Sequence, residues 1–333
     1  LKLPQPQMDS IKNIPMVEKP SRKPTLWIVT EGLAGTENQC LGIAQFLDAK
    51  AKLLRITLKQ PWAALSPWLG LECTATFSPK IFPPWPDILL ASGRKSIAVS
   101  RYVKKMSGGK TFTVQIQDPR TNPNQFDLVA LPSHDPTRGE NVLVTKATPN
   151  KVSATILETA KTQFAPLFGN LPAPRIAILI GGSTKNHTIS EQDVTKLINQ
   201  LQSISKQGNL MITTSRRTGE ENTQRIKNAL SGENIYFWDG LSENPYMGML
   251  AWADYIVATN DSTSMLSEAA TTGKPVYNLS LVPLSGRQNK LLDNLKSFGA
   301  VRDWSRNLES WSYDRLNDAE LVAQTIKEKS GLF

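Results

Sequence analysis

Short apolar runs bounded by turn residues alternate with stretches whose apolar positions recur every three or four residues. In the first half the runs are "TLWIVT", "KLLRITL", "DILLAS", "TFTVQIQ" and "FDLVALP". Runs this short and this continuous predict strands of a parallel sheet covered on both faces. Cys40, Ile43, Ala44 and Leu47 mark the buried face of one intervening helix, and Val99, Tyr102, Val103 and Met106 mark that of another. A helix is also predicted near Ser153 to Phe164. The alternation restarts with "RIAILIGGST", a helix over Glu191 to Ser205, "LMITTS", a helix over Gly219 to Leu230, "NIYFWDG", "YIVATN", a helix after Asp261, and "PVYNLS".

The pattern predicts an α/β protein of two doubly wound, Rossmann-like parallel-sheet domains facing a cleft. The 333 residues exceed what one hydrophobic core usually organises, which agrees with two units. Residues 1–24 are rich in proline and lysine and lack periodicity, so a flexible extension is expected there. Residues 25–165 form the expected first domain. The linker expected at 166–174 falls within "APLFGNLPAP", and residues 175–310 form the second domain. Residues 311–333 are expected as a helical segment packing back on the first domain.

Composition narrows the setting. With 40% hydrophobic and 20% charged residues the chain reads as globular, and no apolar run approaches the ~20 residues of a membrane helix. The first residues lack the apolar core of a secretory signal, so a cytoplasmic site, alternatively a peripheral one on a membrane, is expected. The net charge of +9 is unevenly spread. Arg94, Lys95, Arg101, Lys104, Lys105 and Lys110 fall between Asp87 and Asp118 with no acidic residue among them. Such a helix face is either solvated or suited to an anionic membrane surface. No nucleic-acid-reading module or Cys/His zinc pattern is present, so neither nucleic acid nor a metal is an expected partner.

Candidate chemistry sits where the predicted strands end. In "ATNDSTSMLSEAATTGKPVY" a strand runs into Asp261, Ser262, Thr263 and Ser264, and Glu268 follows just over one helical turn later. Helix-start amides with these hydroxyls form a plausible pyrophosphate cradle, and Glu268 is placed to take both hydroxyls of a ribose. The alternative is a plain N-cap with Glu268 on the solvent face. In "EGLAGTENQ", Gly32 and Gly35 let backbone approach a ligand, and Asn38 and Gln39 stand at the next helix start; a tight turn is the alternative. "IGGST" repeats the device with Gly181, Gly182, Ser183 and Thr184. Arg94, Arg120, Arg216 and Arg217 follow strands and present donor forks suited to phosphate. Glu31, Glu37, His134 and Asp135 are the candidates for a general base, and the remaining histidine, His187, lies by the second glycine loop.

The strand, hydroxyl-rich helix start, glutamate and Gly-x-Pro resemble the donor site of GT-B glycosyltransferases, in which the glutamate grips the ribose of a uridine nucleotide. That resemblance implies that Glu268 has this role and that Ser262 to Ser264 face phosphate. A closer resemblance covers about residues 25–305 and is carried by "LWIVTEGLAGTENQCLGIA", "VQIQDPR", "FDLVALPSHD", "NVLVTKATPNKV", "ITTSRRT", "WDGLSENPYMGMLAWADYIVATNDSTSMLSEA" and "TGKPVY". These segments are similar to the family of the plant mitochondrial-fission factor and its bacterial relatives. The resemblance implies a GT-B-like fold with an acceptor-side first domain and a nucleotide-sugar-side second domain. A nucleotide-diphosphate sugar is the expected substrate, with no cofactor required. Since the plant member is regarded as a recruitment factor, a protein partner and a non-catalytic adaptor role form the alternative. A sugar-nucleotide epimerase or reductase with bound nicotinamide is a third reading, weakened by the lack of a GxGxxG fingerprint.

Overall fold

The computed structural model describes residues 22–333, so the expected N-terminal extension falls almost wholly outside the described residues. The first half contains β1 (Thr25–Thr30), α1 (Ala34–Ala44), β2 (Lys50–Arg55), β3 (Thr57–Leu58), α2 (Trp62–Leu65), β4 (Phe77–Ser78), β5 (Ile88–Ser92), α3 (Ser96–Met106), β6 (Phe112–Ile116), β7 (Leu128–Pro132) and β8 (Val142–Thr145). Next come α4 (Ala154–Gln163) and the single turn α5 (Ala165–Phe168). The second half contains β9 (Arg175–Ile180), α6 (Glu191–Ile204), β10 (Asn209–Thr214), α7 (Glu220–Ala229), β11 (Ile235–Phe237), α8 (Tyr246–Trp252), β12 (Tyr255–Thr259), α9 (Thr263–Thr271), β13 (Val276–Leu279), α10 (Gly286–Ser297), β14 (Val301–Asp303) and α11 (Asp318–Ser330).

These strands build two six-stranded sheets, ordered β2-β1-β5-β6-β7-β8 and β11-β10-β9-β12-β13-β14, with parallel pairing throughout each. The two-residue side-chain period of a strand sorts each sheet's core into two layers. Leu26 and Ile28 of β1 pack with α1 and with Ala319, Val322, Ala323 and Ile326 of α11, while Trp27 and Val29 pack with Val99, Tyr102 and Val103 of α3. In the second sheet Ala177 and Leu179 pack toward Met249, Leu250, Leu266 and Leu291, whereas Ile176, Ile178 and Ile180 pack toward α6 and α7.

Several elements depart from the periodicity reading. "KLLRITL" is two strands, because Thr57–Leu58 turns away to pair antiparallel with Phe77–Ser78. Met106 is half exposed rather than in the core. The basic face of α3 is partly consumed: Arg101 binds Glu72 and the Pro67 and Leu69 carbonyls, and Lys104 pairs with Asp127 at 2.9 Å. Within the proline-rich stretch, Phe168 is fully buried and packs edge-on against Tyr236 at 5.2 Å. Helix α4 shares the core of the second sheet, and the Trp252 indole donates to the Lys161 carbonyl at 2.9 Å.

The chain thus crosses between the sheets before α4 and again before α11. The crossings are tied by Asp318, whose carboxylate accepts the amides of Lys146 (2.9 Å) and Ala147 (2.8 Å), and by Asn150, which donates to Thr271 at 3.0 Å. At Gly42 of α1 a Cβ would lie 2.1 Å from the Asn150 carbonyl oxygen, so the first helix touches this crossing at backbone distance. No helix among the described residues is long and apolar enough to cross a membrane.

Candidate functional site

Each sheet reverses its strand order once, between β1 and β5 in the first and between β9 and β12 in the second. In a doubly wound sheet the loops leaving such a pair splay apart, and ligands bind in the crevice at the carboxyl ends of the strands. An interdomain cleft of about 880 Å3 opens beside the first reversal, lined by Glu31, Gly35, Gln39, Arg94, Lys95, Arg120, His134 and Asp135 from that half. Lys185, Thr263, Ser264, Ser285, Arg287 and Gln288 line it from the other.

The second reversal is closed on itself. The Asp261 carboxylate is fully buried and accepts from the Gly182 amide (2.9 Å), the Thr259 hydroxyl (2.7 Å) and the Arg217 guanidinium (2.7 Å). Gly181 donates to the Thr259 hydroxyl at 2.8 Å, and Ser183 donates its amide to the Arg217 carbonyl at 3.0 Å. Thr184 donates to the His187 carbonyl at 2.8 Å. A Cβ on Gly181 would lie 2.0 Å from Asp261 and one on Gly182 would lie 2.1 Å from the Arg217 backbone. These glycines therefore serve close packing of two loops, and the backbone amides of Gly181, Gly182, Ser183 and Thr184, expected to face a ligand, are spent within the protein. None of them lines the cleft, nor do Arg216, Arg217 and Asp261. Arg216 is exposed in a short turn after β10, and His187 lies 3.3 Å from Asp193.

Ser262 caps α9 by accepting the Met265 amide at 3.3 Å. Thr263 and Ser264 begin the helix and face the cleft, and the first-turn amides of a helix have no intrahelical acceptor. A Cβ on Gly35 would meet the Ser264 hydroxyl at 3.5 Å, so the start of α1 abuts the start of α9. Gly32 holds φ +83° and donates to the Thr30 hydroxyl at 3.1 Å, a turn role.

Glu268 is neither on a solvent face nor open to the cleft. It is 7% exposed, and its Oε2 accepts the Tyr246 hydroxyl at 2.5 Å. Burial pushes its carboxyl above the usual range, partly offset by the phenol. The space it touches, shared with Asn38, Gln39 and Ser264, holds only about 10 Å3, too little for a ribose. Lys274 spends its ammonium on the Leu250 and Ala251 carbonyls, and burial lowers its pKa to about 8.

The four base candidates separate. Glu37 pairs with Arg55 at 2.8 Å, which holds its carboxyl below the ordinary range, and it does not line the cleft. Glu31 lines the cleft but accepts the Lys95 amide at 3.0 Å and faces the Lys95 ammonium at 3.2 Å. His134 is half-buried, and burial lowers its pKa from 6.5, which keeps the imidazole neutral at pH 7. Asp135 is buried, with Arg287 at 3.3 Å.

Two features of the cleft wall bear on ligands. Among the described residues, Arg94, Arg120 and Lys185 have no carboxylate partner. Of six buried side-chain polar atoms without a hydrogen-bond partner among the described residues, three belong to residues that line this cleft: Gln115 Oε1, His134 Nδ1 and Asp135 Oδ1, the last of which faces the Arg287 guanidinium at 3.3 Å. Two residues of the loop after β6, Gln117 and Arg120, hold φ values of +72° and +53°, backbone strain of a kind that concentrates at functional loops. The Asp118 carboxylate steadies that loop by accepting the Arg120 amide and the Thr137 hydroxyl, each at 2.8 Å.

The sequence reading missed Gln115, Gln117, Asp118, Lys185, Arg287 and Gln288 as cleft residues, and placed Lys95 only on a basic helix face. Arg287 in α10 reaches across to Asp118 (3.7 Å) and Asp135 (3.3 Å) in the other half. Asn294 on the same helix donates to the Ser133 hydroxyl at 2.7 Å. The Ser-Gly-x-Gln start of α10, with Ser285 and Gln288 forming a capping box, was the available signal.

A solved UDP-GlcNAc 2-epimerase from Methanocaldococcus jannaschii superposes with a TM-score of 0.52 at 10% identity, over 92% of this chain and 100% of that one. Spinosyn forosaminyltransferase SpnP superposes with a TM-score of 0.50 at 11% identity, over 93% of each chain. The fold is GT-B-like. In sequence the chain is 27% identical over 349 residues to the uncharacterized protein RP120 of Rickettsia prowazekii (strain Madrid E), covering 91% of this chain and 97% of that protein. It is 31% identical over 277 residues to the mitochondrial fission protein ELM1 of Arabidopsis thaliana, covering 73% of this chain but only 64% of that longer relative. A family model described as Mitochondrial fission ELM1 matches residues 34–330, and the chain belongs to that family.

Proposed function

We propose that the chain binds a nucleotide-diphosphate sugar in the interdomain cleft and transfers the sugar to an acceptor. The observation that carries this reading is the meeting, in one cleft, of cations without carboxylate partners and a buried acceptor, Gln115 Oε1, without a donor. Arg94, Arg120 and Lys185 suit a diphosphate, and the α9 start at Thr263 and Ser264 adds amide donors. Gln115 Oε1 suits a sugar hydroxyl, since an unmet buried acceptor gains most from a ligand that donates to it. The nucleotide-sugar class is supported by one fold neighbour, a UDP-GlcNAc 2-epimerase, and the transfer by another, a forosaminyltransferase.

In such a transfer the acceptor oxygen bonds the anomeric carbon while the bond to the diphosphate breaks and the nucleotide leaves with the electron pair. Negative charge develops on the leaving diphosphate, where fixed cations and helix-start amides stabilise it most. The acceptor proton passes to a base. His134, neutral at pH 7 and facing the cleft, fits that role best of the four candidates.

The test is calorimetric titration of the full chain with nucleoside diphosphates and nucleotide sugars of each base. Micromolar binding of one series, weakened in Arg94→Ala, is expected; silence across the panel overturns the reading. The adaptor role is favoured by one observation, the burial of Glu268 against Tyr246, which removes the residue expected to hold a ribose. It predicts no nucleotide binding and no loss of partner recruitment in Glu268→Ala.

A further inference from the structure

Between β3 and β5 the chain makes an excursion, residues 59–86, that adds no strand to either six-stranded sheet. Its inner side is anchored: Trp62 donates to the Gly70 carbonyl (3.1 Å), Arg101 of α3 holds the Pro67 and Leu69 carbonyls, and the Thr74 and Tyr102 hydroxyls lie 3.0 Å apart. Ser66 donates to the Arg94 carbonyl at 3.1 Å, which seats the excursion directly against the cleft wall. Its outer side is apolar. Leu65, Trp68, Leu71 and Phe82 are 49%, 69%, 87% and 60% exposed, four of the ten large hydrophobic side chains that the described residues leave exposed. Leu71 stands at φ +62°, a conformation that costs a branched residue energy and that turns its side chain out of the loop while Glu72 turns in toward Arg101.

We infer that this excursion is a docking surface for an anionic lipid bilayer. Exposed apolar side chains gathered in one segment mark protein or membrane contacts. The charge around them decides between the two. Lys59 and Lys80 within the excursion, and Lys105 and Lys110 at the end of α3 against which it packs, are exposed and have no carboxylate partner among the described residues. The single carboxylate between Lys59 and Pro86 is Glu72, buried against Arg101. Protein interfaces are depleted in lysine. Exposed lysines on the same segment as exposed aliphatic and indole side chains instead match a surface of acyl chains beneath anionic head groups, where tryptophan also concentrates. Docking here sets the cleft mouth beside the bilayer, and it stands whether or not the cleft carries out transfer.

The experiment is vesicle flotation of the full chain with phosphatidylcholine vesicles, with and without phosphatidylglycerol, together with nucleotide titration of every variant. Binding to the anionic vesicles, weakened by salt, is expected. Trp68→Ser/Leu71→Ser and Lys59→Glu/Lys80→Glu should each weaken it about tenfold or more and leave nucleotide titration unchanged. If the first double variant does not fold, Leu71→Gln alone takes its place. Failure of the wild type to bind anionic vesicles, equal binding with and without phosphatidylglycerol, or full binding by the Trp68/Leu71 variant each overturns the inference. Self-association that disappears with Trp68 and Leu71, without vesicle binding, overturns it in favour of a protein contact.

Discussion

The two strand-order reversals share a plan and differ in what is left over. Each brings a glycine-bearing loop against a helix start across a single carboxylate, Glu31 in the first sheet and Asp261 in the second. In the second, the carboxylate is fully buried with three partners, and the loop amides are spent within the protein. In the first, Glu31 is partly exposed and answers Lys95, while Arg94 and Arg120 of the same cleft have no carboxylate partner among the described residues. The motif that looks most like a nucleotide cradle in sequence, from Asp261 onward, is thus half structural clamp, and the cationic wall lies on the other sheet. A donor group is available to a ligand only when the fold has not already used it.

The largest expected effect that sharpens this contrast is on stability. Asp261→Ala strands the Gly182 amide, the Thr259 hydroxyl and Arg217 around a buried gap, and should cost about 3 kcal/mol or more in urea unfolding. Equal stability of variant and wild type would show that the clamp is not structural. Next comes Gly182→Ala, whose Cβ would lie 2.1 Å from the Arg217 backbone and should cost roughly 2 kcal/mol. Gly35→Ala in the first sheet, which meets only the Ser264 hydroxyl at 3.5 Å, should stay within about 0.5 kcal/mol.

A smaller effect concerns Glu268, whose folded pKa is raised above 4.5 by burial. Its protonated form is the one the fold prefers, so its contribution to stability is fully present below pH 4.5 and is lost as pH rises through the folded pKa. Glu268→Gln should flatten that part of the stability profile. Tyr246→Phe, which removes the hydrogen bond opposing the shift, should extend the loss to higher pH. Unfolding curves measured from pH 4 upward (roughly the carboxylate range) check both, and an unchanged slope in Glu268→Gln would contradict the assignment.

The fold was legible because parallel-sheet strands announce themselves as short apolar runs, as in "RIAILI" and "DILLAS". Where the reading slipped, an interaction distant in sequence intervened. Phe168 sits among prolines but is buried by Tyr236, and two cations of the basic face of α3, Arg101 and Lys104, are paired with Glu72 and Asp127, neither of them on α3. The site was half legible. Arg94, Arg120, His134 and Asp135, all placed after strands by the sequence, line one cleft. Strand-end position gave no warning that Asp261 would bind back onto Gly182, or that Glu268 would find a phenol, because both partners come from other elements. Arg287 escaped notice since it answers Asp118 and Asp135 only across the domain boundary.

The most direct test of where an anion binds is calorimetric titration of pyrophosphate into three proteins: wild type, Arg94→Ala/Arg120→Ala, and Arg216→Ala. Binding by the wild type, lost about tenfold or more in the first-sheet double variant and unchanged in Arg216→Ala, is the predicted result. No binding by the wild type, or an equal loss in Arg216→Ala, would contradict the assignment of the cationic wall to the first sheet.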